Sequence, residues 1–244
     1  MVSGLGKLKL YIFLLLLLLV LSSPYNAFSQ DKGKQGDFEW EYNFYGMSIT
    51  GYTGKKTDIT IPSIINGKNV TYIDESAFRG KQLTKVVLPN KLLRIGSRAF
   101  ENNRLTAITF PETLKEIGGQ AFLSNQLTVL IIPDNIEEIG TRAFVSNKLT
   151  KVVFGTGLKA INDGAFGFNQ LTSITIPVNV WFIGEFAFAG NNLTSIVNIG
   201  NPFIRVNTFD NFEDIYKDNR MGNKLIEGTY TRPNAQSKNW VKIK

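Results

Sequence analysis

The chain repeats itself with a fixed step of 22 residues, and this step constrains the fold more than any other feature. ENNRLTAITFPETLKEIGGQAF occupies residues 101 to 122, and LSNQLTVLIIPDNIEEIGTRAF follows at 123 to 144. The dipeptide Ala-Phe ends at Phe78, Phe100, Phe122, Phe144, Phe166 and Phe188. Leu-Thr recurs in step, with its leucine at Leu83, Leu105, Leu127, Leu149, Leu171 and Leu193. An isoleucine completes the set at Ile73, Ile95, Ile117, Ile139, Ile161 and Ile183, usually before glycine. Self-similarity at such a period specifies a solenoid or array. A single unit buries too few apolar side chains to offset the entropy of ordering its backbone, so the units must stack. Six units plus the leading strand Ile59-Thr60-Ile61-Pro62 predict seven coils. At about 4.8 Å per coil they form a sheet roughly 34 Å long.

Within a unit the periodicity changes. Leu105-Thr106-Ala107-Ile108-Thr109-Phe110-Pro111 alternates apolar and other residues, which predicts a short strand with Ile108 and Phe110 inward. Pro111 ends it, as do Pro89, Pro133 and Pro177, because proline has no amide to donate; Gly155 takes that place in the fourth unit. In PETLKEIGGQAF the apolar residues Leu114, Ile117, Ala121 and Phe122 fall at spacings of three, four and one. That spacing predicts a turn or short helical segment on the opposite side, with Gly118 easing the bend. The expected class is therefore an α/β-type repeat solenoid, with a parallel β-sheet on one face and turns or helical segments on the other.

One polar row runs through the repeat. Asn103, Asn125, Asn147, Asn169 and Asn191 each precede the repeat leucine by two positions, where the first unit has Lys81. A row of ligand-binding amides is one reading. The other is a buried ladder in which each amide bonds the backbone beside it, since a buried amide left unpaired costs about 1–3 kcal/mol. The exception at Lys81 favours the ladder, because an outermost coil tolerates an exposed substitute.

The ends differ in kind. Lys7 and Lys9 precede the apolar run Leu10 to Leu21, and Ala27-Phe28-Ser29 fits a small-x-small cleavage site. Twelve apolar residues fall short of the roughly 20 that span a bilayer. Residues 1–29 are thus expected to be a cleaved signal peptide, residues 30–56 an amino-terminal entry segment, 57–200 the solenoid and 201–244 a carboxy-terminal cap. Without residues 1–29 the chain carries an excess of five positive charges, spread along its length. No basic block accompanies them, which argues against nucleic acid as a partner. The chain has neither cysteine nor histidine, so no disulfide can form and no cysteine can carry a lipid. The mature protein is expected to be secreted, on the cell surface or periplasmic, with no stable membrane insertion.

The pattern Leu-x-x-Ile-x-Ile-Pro followed by Ile-Gly-x-x-Ala-Phe resembles the BspA-like leucine-rich repeats of bacterial surface and secreted proteins. The resemblance covers about residues 57 to 200. The lead-in ITGYTGKKTDITIPSIINGKNVTYIDESAF is similar to the usual entry to such arrays, and GTYTRPNAQSKNW to the short element that often follows them. Family repeats are commonly one residue longer and often carry cysteine where these have asparagine. The resemblance implies adhesion and recognition of an extracellular protein or glycan. It supplies no catalytic motif and no cofactor, and repeats of this kind specify a scaffold whose function lies on variable positions. The alternative is a structural component of the envelope without a soluble ligand.

Two sets of variable positions are candidates for binding. The outward residues of the strands form one column of Lys85, Ala107, Val129, Lys151, Ser173 and Ser195, and another of Val87, Thr109, Ile131, Val153, Thr175 and Val197. β-Branched residues suit any pleated surface, whereas contiguous exposed apolar surface marks a contact site. The second set is Trp181 and Phe182, which replace pairs such as Lys115-Glu116 and Glu137-Glu138, with Phe168 and Phe186 close in the pattern. Exposed aromatics make interaction hot spots; the competing expectation is that the tail folds back over them. An enzyme is not expected. Histidine and cysteine are absent, and Glu116, Asp134, Glu137 and Glu138 occupy variable positions that ordinarily face water.

Overall fold

The computed structural model describes residues 31–200, 202–205, 208–209, 228–237 and 240–243. The signal peptide expected at 1–29 lies outside them. Each repeat forms one coil with short strands on two different walls, except that residues 105–111 form no strand. The first wall is a continuous sheet. It opens with the antiparallel strands Asp31–Gln35, Phe38–Asn43 and Gly46–Tyr52. From there it runs in parallel through Lys68–Ile73, Arg94–Ile95, Glu116–Ile117, Glu138–Ile139, Ala160–Ile161, Phe182–Ile183 and Phe203–Ile204. The second wall holds the Leu-Thr strands and is broken into pieces: Asp58–Thr60 with Lys85–Val87, Val129–Ile131 with Lys151–Val153, and Ser173–Ile176 with Ser195–Asn198.

This arrangement corrects the expected class. Among the described residues there is no helix, so the solenoid is all-β, and its continuous ladder runs on the side expected to carry turns or helical segments. The apolar spacing at Leu114, Ile117, Ala121 and Phe122 comes from a two-residue strand followed by tight turns. Gln120 and Ser124 adopt left-handed backbone, φ 59° and 55°, which no right-handed helix accommodates. Gly118 has another role than easing a bend. A Cβ there would lie 2.7 Å from the Ser97 amide nitrogen, and one at Gly140 2.6 Å from the Gly118 carbonyl carbon. Glycine recurs here because successive coils touch backbone to backbone.

Two ladders hold the coils together. Phe78, Phe100, Phe122, Phe144, Phe166 and Phe188 are fully buried, and their rings stack with centroids 5.1–5.5 Å apart and planes within 13°. The asparagines form the second ladder, buried and bonded to backbone. Asn147 Nδ2 donates to the carbonyls of Phe122 at 2.9 Å and Phe144 at 3.1 Å, while its Oδ1 accepts from the Leu127 amide at 3.0 Å. Asn103, Asn125, Asn169 and Asn191 repeat the pattern one coil apart. Each amide thus joins its own turn to the preceding one and satisfies groups that burial would otherwise orphan.

At the amino-terminal end Trp40, Met47, Ile49 and Tyr52 are buried against the first coil, and Tyr52 lies 5.9 Å from Phe78. At the other end the stack passes residue 200. Phe209 packs on Phe188 at 5.3 Å, and Thr208 substitutes for the repeat alanine by donating its hydroxyl to the Gly184 carbonyl at 3.0 Å. Gly228–Thr231 then pairs antiparallel with Ser195–Asn198, and Val241–Lys242 adds to it. The buried Arg232 fastens this closing piece. Its Nε donates to the Leu193 carbonyl at 2.6 Å, and its guanidinium lies 4.6 Å from the Trp240 ring centroid.

Candidate functional site

The strand pattern decides what the broken wall presents. In Lys85–Val87 and Val129–Ile131 the central residue is buried and its neighbours exposed, because side chains alternate across a strand. Parallel pairing in register carries the alternation from coil to coil: Val129 faces Lys151 and Ile131 faces Val153. The predicted column is therefore an exposed row, with Val87 at 46%, Ile131 at 64% and Val153 at 43% exposure. Thr109 and Thr175 are exposed in the same row, and Lys85 and Lys151 in the row beside it. Lys85 lies 3.7 Å from Asp58.

Where the wall breaks, it opens into grooves. One, of about 490 Å³, lies between Thr84–Leu88 and Thr106–Phe110; another, of about 390 Å³, separates Thr150–Phe154 from Ser173–Thr175. Each break coincides with a phenylalanine where other units have Leu88, Ile132 or Ile176. Phe110 packs edge-on to Phe122 at 5.6 Å, and Phe154 likewise to Phe166 at 5.5 Å. A ring is larger than an aliphatic side chain, and this difference in core volume is what accompanies each break.

Trp181 and Phe182 are not brought to this row. They sit on the continuous wall, where Phe182 stacks on Phe203 with centroids 6.4 Å apart and Trp181 is 62% exposed. The described part of the tail is divided between the walls: Phe203–Ile204 continues this one and packs on Phe182, Gly228–Thr231 pairs with the other, and Trp181 is left exposed. Elsewhere on the continuous wall the same two positions hold exposed ion pairs. Arg94 meets Glu116 at 2.8 Å, and Lys159 donates to Glu137 at 2.7 Å, which holds that carboxyl below its ordinary value.

A third feature escaped the sequence reading. In every coil two turn positions are left-handed, and each forms a column: Ser76, Arg98, Gln120, Arg142, Gly164 and Phe186, then Gly80, Asn102, Ser124, Ser146, Phe168 and Gly190. In the fifth coil Gly164 and Gly167 stand where its neighbours carry Arg142 and Val145 on one side, Phe186 and Ala189 on the other. The missing side chains leave a notch of about 650 Å³ whose lining includes Arg142, Asp163, Glu185, Phe168 and Phe186. Aligning the repeats exposes both glycines as departures from the column. That the two phenylalanines face one cavity is visible only in the folded chain. Among the described residues no cluster of acidic side chains could hold a metal ion, and no helix is long and apolar enough to cross a membrane.

The geometry agrees with what comparison with other proteins finds. A model of the BspA type leucine rich repeat region matches in six copies over residues 48–167 and 94–216. Among solved structures, a leucine rich cell surface protein from Faecalibacterium prausnitzii A2-165 is 25% identical with a TM-score of 0.54, over 72% of this chain and 57% of that one. The pneumococcal vaccine antigen PcpA shares the fold at 18% identity and a TM-score of 0.59, over 73% of this chain and 51% of the antigen. The chain thus spans a little over half the length of these relatives. A search of curated protein sequences returned no match.

Proposed function

The chain belongs to the BspA-type leucine-rich repeat family, and on that premise we propose that it recognises an extracellular protein through the outward row of its broken wall. One observation carries the reading: Ile131 and Val153 are exposed apolar neighbours in register, and Val87 lies exposed in the same column beyond Thr109, with Lys85 and Lys151 alongside. Contiguous apolar surface in water is costly unless a partner covers it. The lysines favour a partner with an acidic rim and steer its approach. The grooves beside the row supply concave places for a partner's side chains. The cell-surface designation of the Faecalibacterium relative supports a position outside the cell, as does the leader of the sequence. No catalytic role is proposed, since the chain holds neither histidine nor cysteine.

The test is binding of the mature chain to a panel of extracellular matrix proteins, alongside a variant carrying Val87→Ser, Ile131→Ser and Val153→Ser. Because all three residues are exposed, the variant is expected to keep its melting transition and to bind at least tenfold more weakly, a loss of about 1.4 kcal/mol or more. Unchanged binding by the folded variant would move recognition off this row. Absence of binding to every protein on the panel would favour a structural role in the envelope.

A further inference from the structure

We propose that the notch between the fourth and sixth coils is a glycan-binding site for a neutral pyranose sugar. Three independent features lead there. The first is backbone strain. Phe168 and Phe186 both hold left-handed backbone, φ 55° and 57°, at positions where other coils use Ser, Asn, Gln, Arg or Gly. A bulky aromatic there is disfavoured by the contact of its Cβ with the backbone. Strain of this kind concentrates at binding sites, where the side chain is wanted for another purpose.

The second is exposure. Phe168 is 67% and Phe186 48% exposed, although each could have been polar without loss to the core. Gly190, one coil after Phe168, leaves room for the ring: a Cβ there would lie 2.7 Å from Phe168 Cδ1. Two aromatic faces at the edge of one cavity offer platforms for the apolar C–H face of a sugar ring.

The third is unspent hydrogen-bonding capacity. Arg98 Nε donates to Gln120 Oε1 at 2.7 Å, one coil further on. Arg142 occupies the same column, but its counterpart one coil on is Gly164, which has no side chain to accept. Glu185 is similarly without an ion pair among the described residues, whereas Asp163 is held by the Glu185 amide at 2.8 Å and lies 3.5 Å from Arg205. The notch therefore presents a guanidinium donor and a carboxylate acceptor beside two rings. An apolar protein side chain seated there would desolvate both charges without pairing them. Sugar hydroxyls donate and accept, so neighbouring hydroxyls can satisfy the arginine and the glutamate together while the ring face covers phenylalanine. This site is distinct from the strand row and does not depend on it.

The experiment is affinity electrophoresis of the mature chain through gels containing a β-glucan, a mannan or a galactan, with binding to enzymatically deglycosylated mucin as the protein arm. Two variants are compared. The first joins Phe168→Asn and Phe186→Gln, residue types that the same columns accept at Asn102 and Gln120. The second, Gly164→Gln, fills the notch and gives Arg142 the partner that Arg98 has. Retardation by at least one polysaccharide is expected, with mobility returning to that of the sugar-free gel in both variants. The first variant relieves strain and should melt no lower than the parent, whereas Gly164→Gln puts a side chain on left-handed backbone, as at Gln120, and should melt somewhat lower while staying folded. The triple serine variant of the strand row should still be retarded. The proposal is overturned by no retardation in any gel, by retardation that survives in the folded notch variants, or by notch-dependent binding to the deglycosylated mucin.

Discussion

The asparagine ladder shows how much one residue can carry in a solenoid. Asn147 is the sole partner shown for the Leu127 amide and one of two donors to the Phe122 carbonyl, the other being Asn125. Leucine could fill the volume but not those valences. Replacing Asn147 by Ala should therefore cost about 2–4 kcal/mol, chiefly from buried backbone groups left unpaired. Thr150→Ala, which removes one exposed hydroxyl bonded to the Thr128 carbonyl at 3.2 Å, should cost under about 1 kcal/mol. Urea midpoints of the two variants, read at constant slope, measure the difference. The ladder was readable as buried structure from its spacing and from the Lys81 exception. Which atoms it joins was not, because the partners lie 20 and 25 residues away.

At the scale of the element, the two walls obey different rules. The continuous wall survives on two-residue strands because glycine lets backbones meet and each Ile stacks on the next. The Leu-Thr wall has longer strands yet breaks where phenylalanine enters the core. Phe110→Ile should let residues 107–109 pair with their neighbours, slowing amide hydrogen exchange there by tenfold or more. Unchanged exchange would mean that the break has another cause. The edge strand Ser195–Asn198 makes a second case. Its open side is paired with Gly228–Thr231, and an unpaired parallel edge is a template for association. A chain ending at residue 227 should show an apparent mass that rises with concentration in light scattering more steeply than the full chain. Equal behaviour would show that the closing strand does not guard the edge.

The whole molecule is a one-dimensional stack, so its stability should scale with the number of coils. Deleting residues 123–144 removes one period and leaves Phe122 followed by Val145 in phase. The shortened chain should fold cooperatively, with a urea slope reduced roughly in proportion to the lost buried surface. Loss of folding would contradict the modular stack. The same additivity makes departures from the consensus the positions free to take on a function. Every consensus position is committed to holding a neighbour, which leaves only columns such as Val87 to Val197 and the fifth-coil glycines free to vary.

The sequence by itself determined the period, the solenoid, the buried roles of Leu, Ile, Ala-Phe and Asn, and the outward row, since each follows from repetition and from the two-residue alternation of strands. It misled on the second half of the unit. Apolar spacings of three and four suit a helical turn as well as a strand between tight turns, and only coil-to-coil hydrogen bonding chooses between them. It also hid the continuation to Phe209, where threonine takes the place of alanine. The breaks in the Leu-Thr wall, the separation of Trp181 from the strand row, and the notch over Gly164 were decided by tertiary structure. Each depends on how residues one period apart meet in space, and that meeting is set by side-chain volume and backbone reach rather than by local pattern.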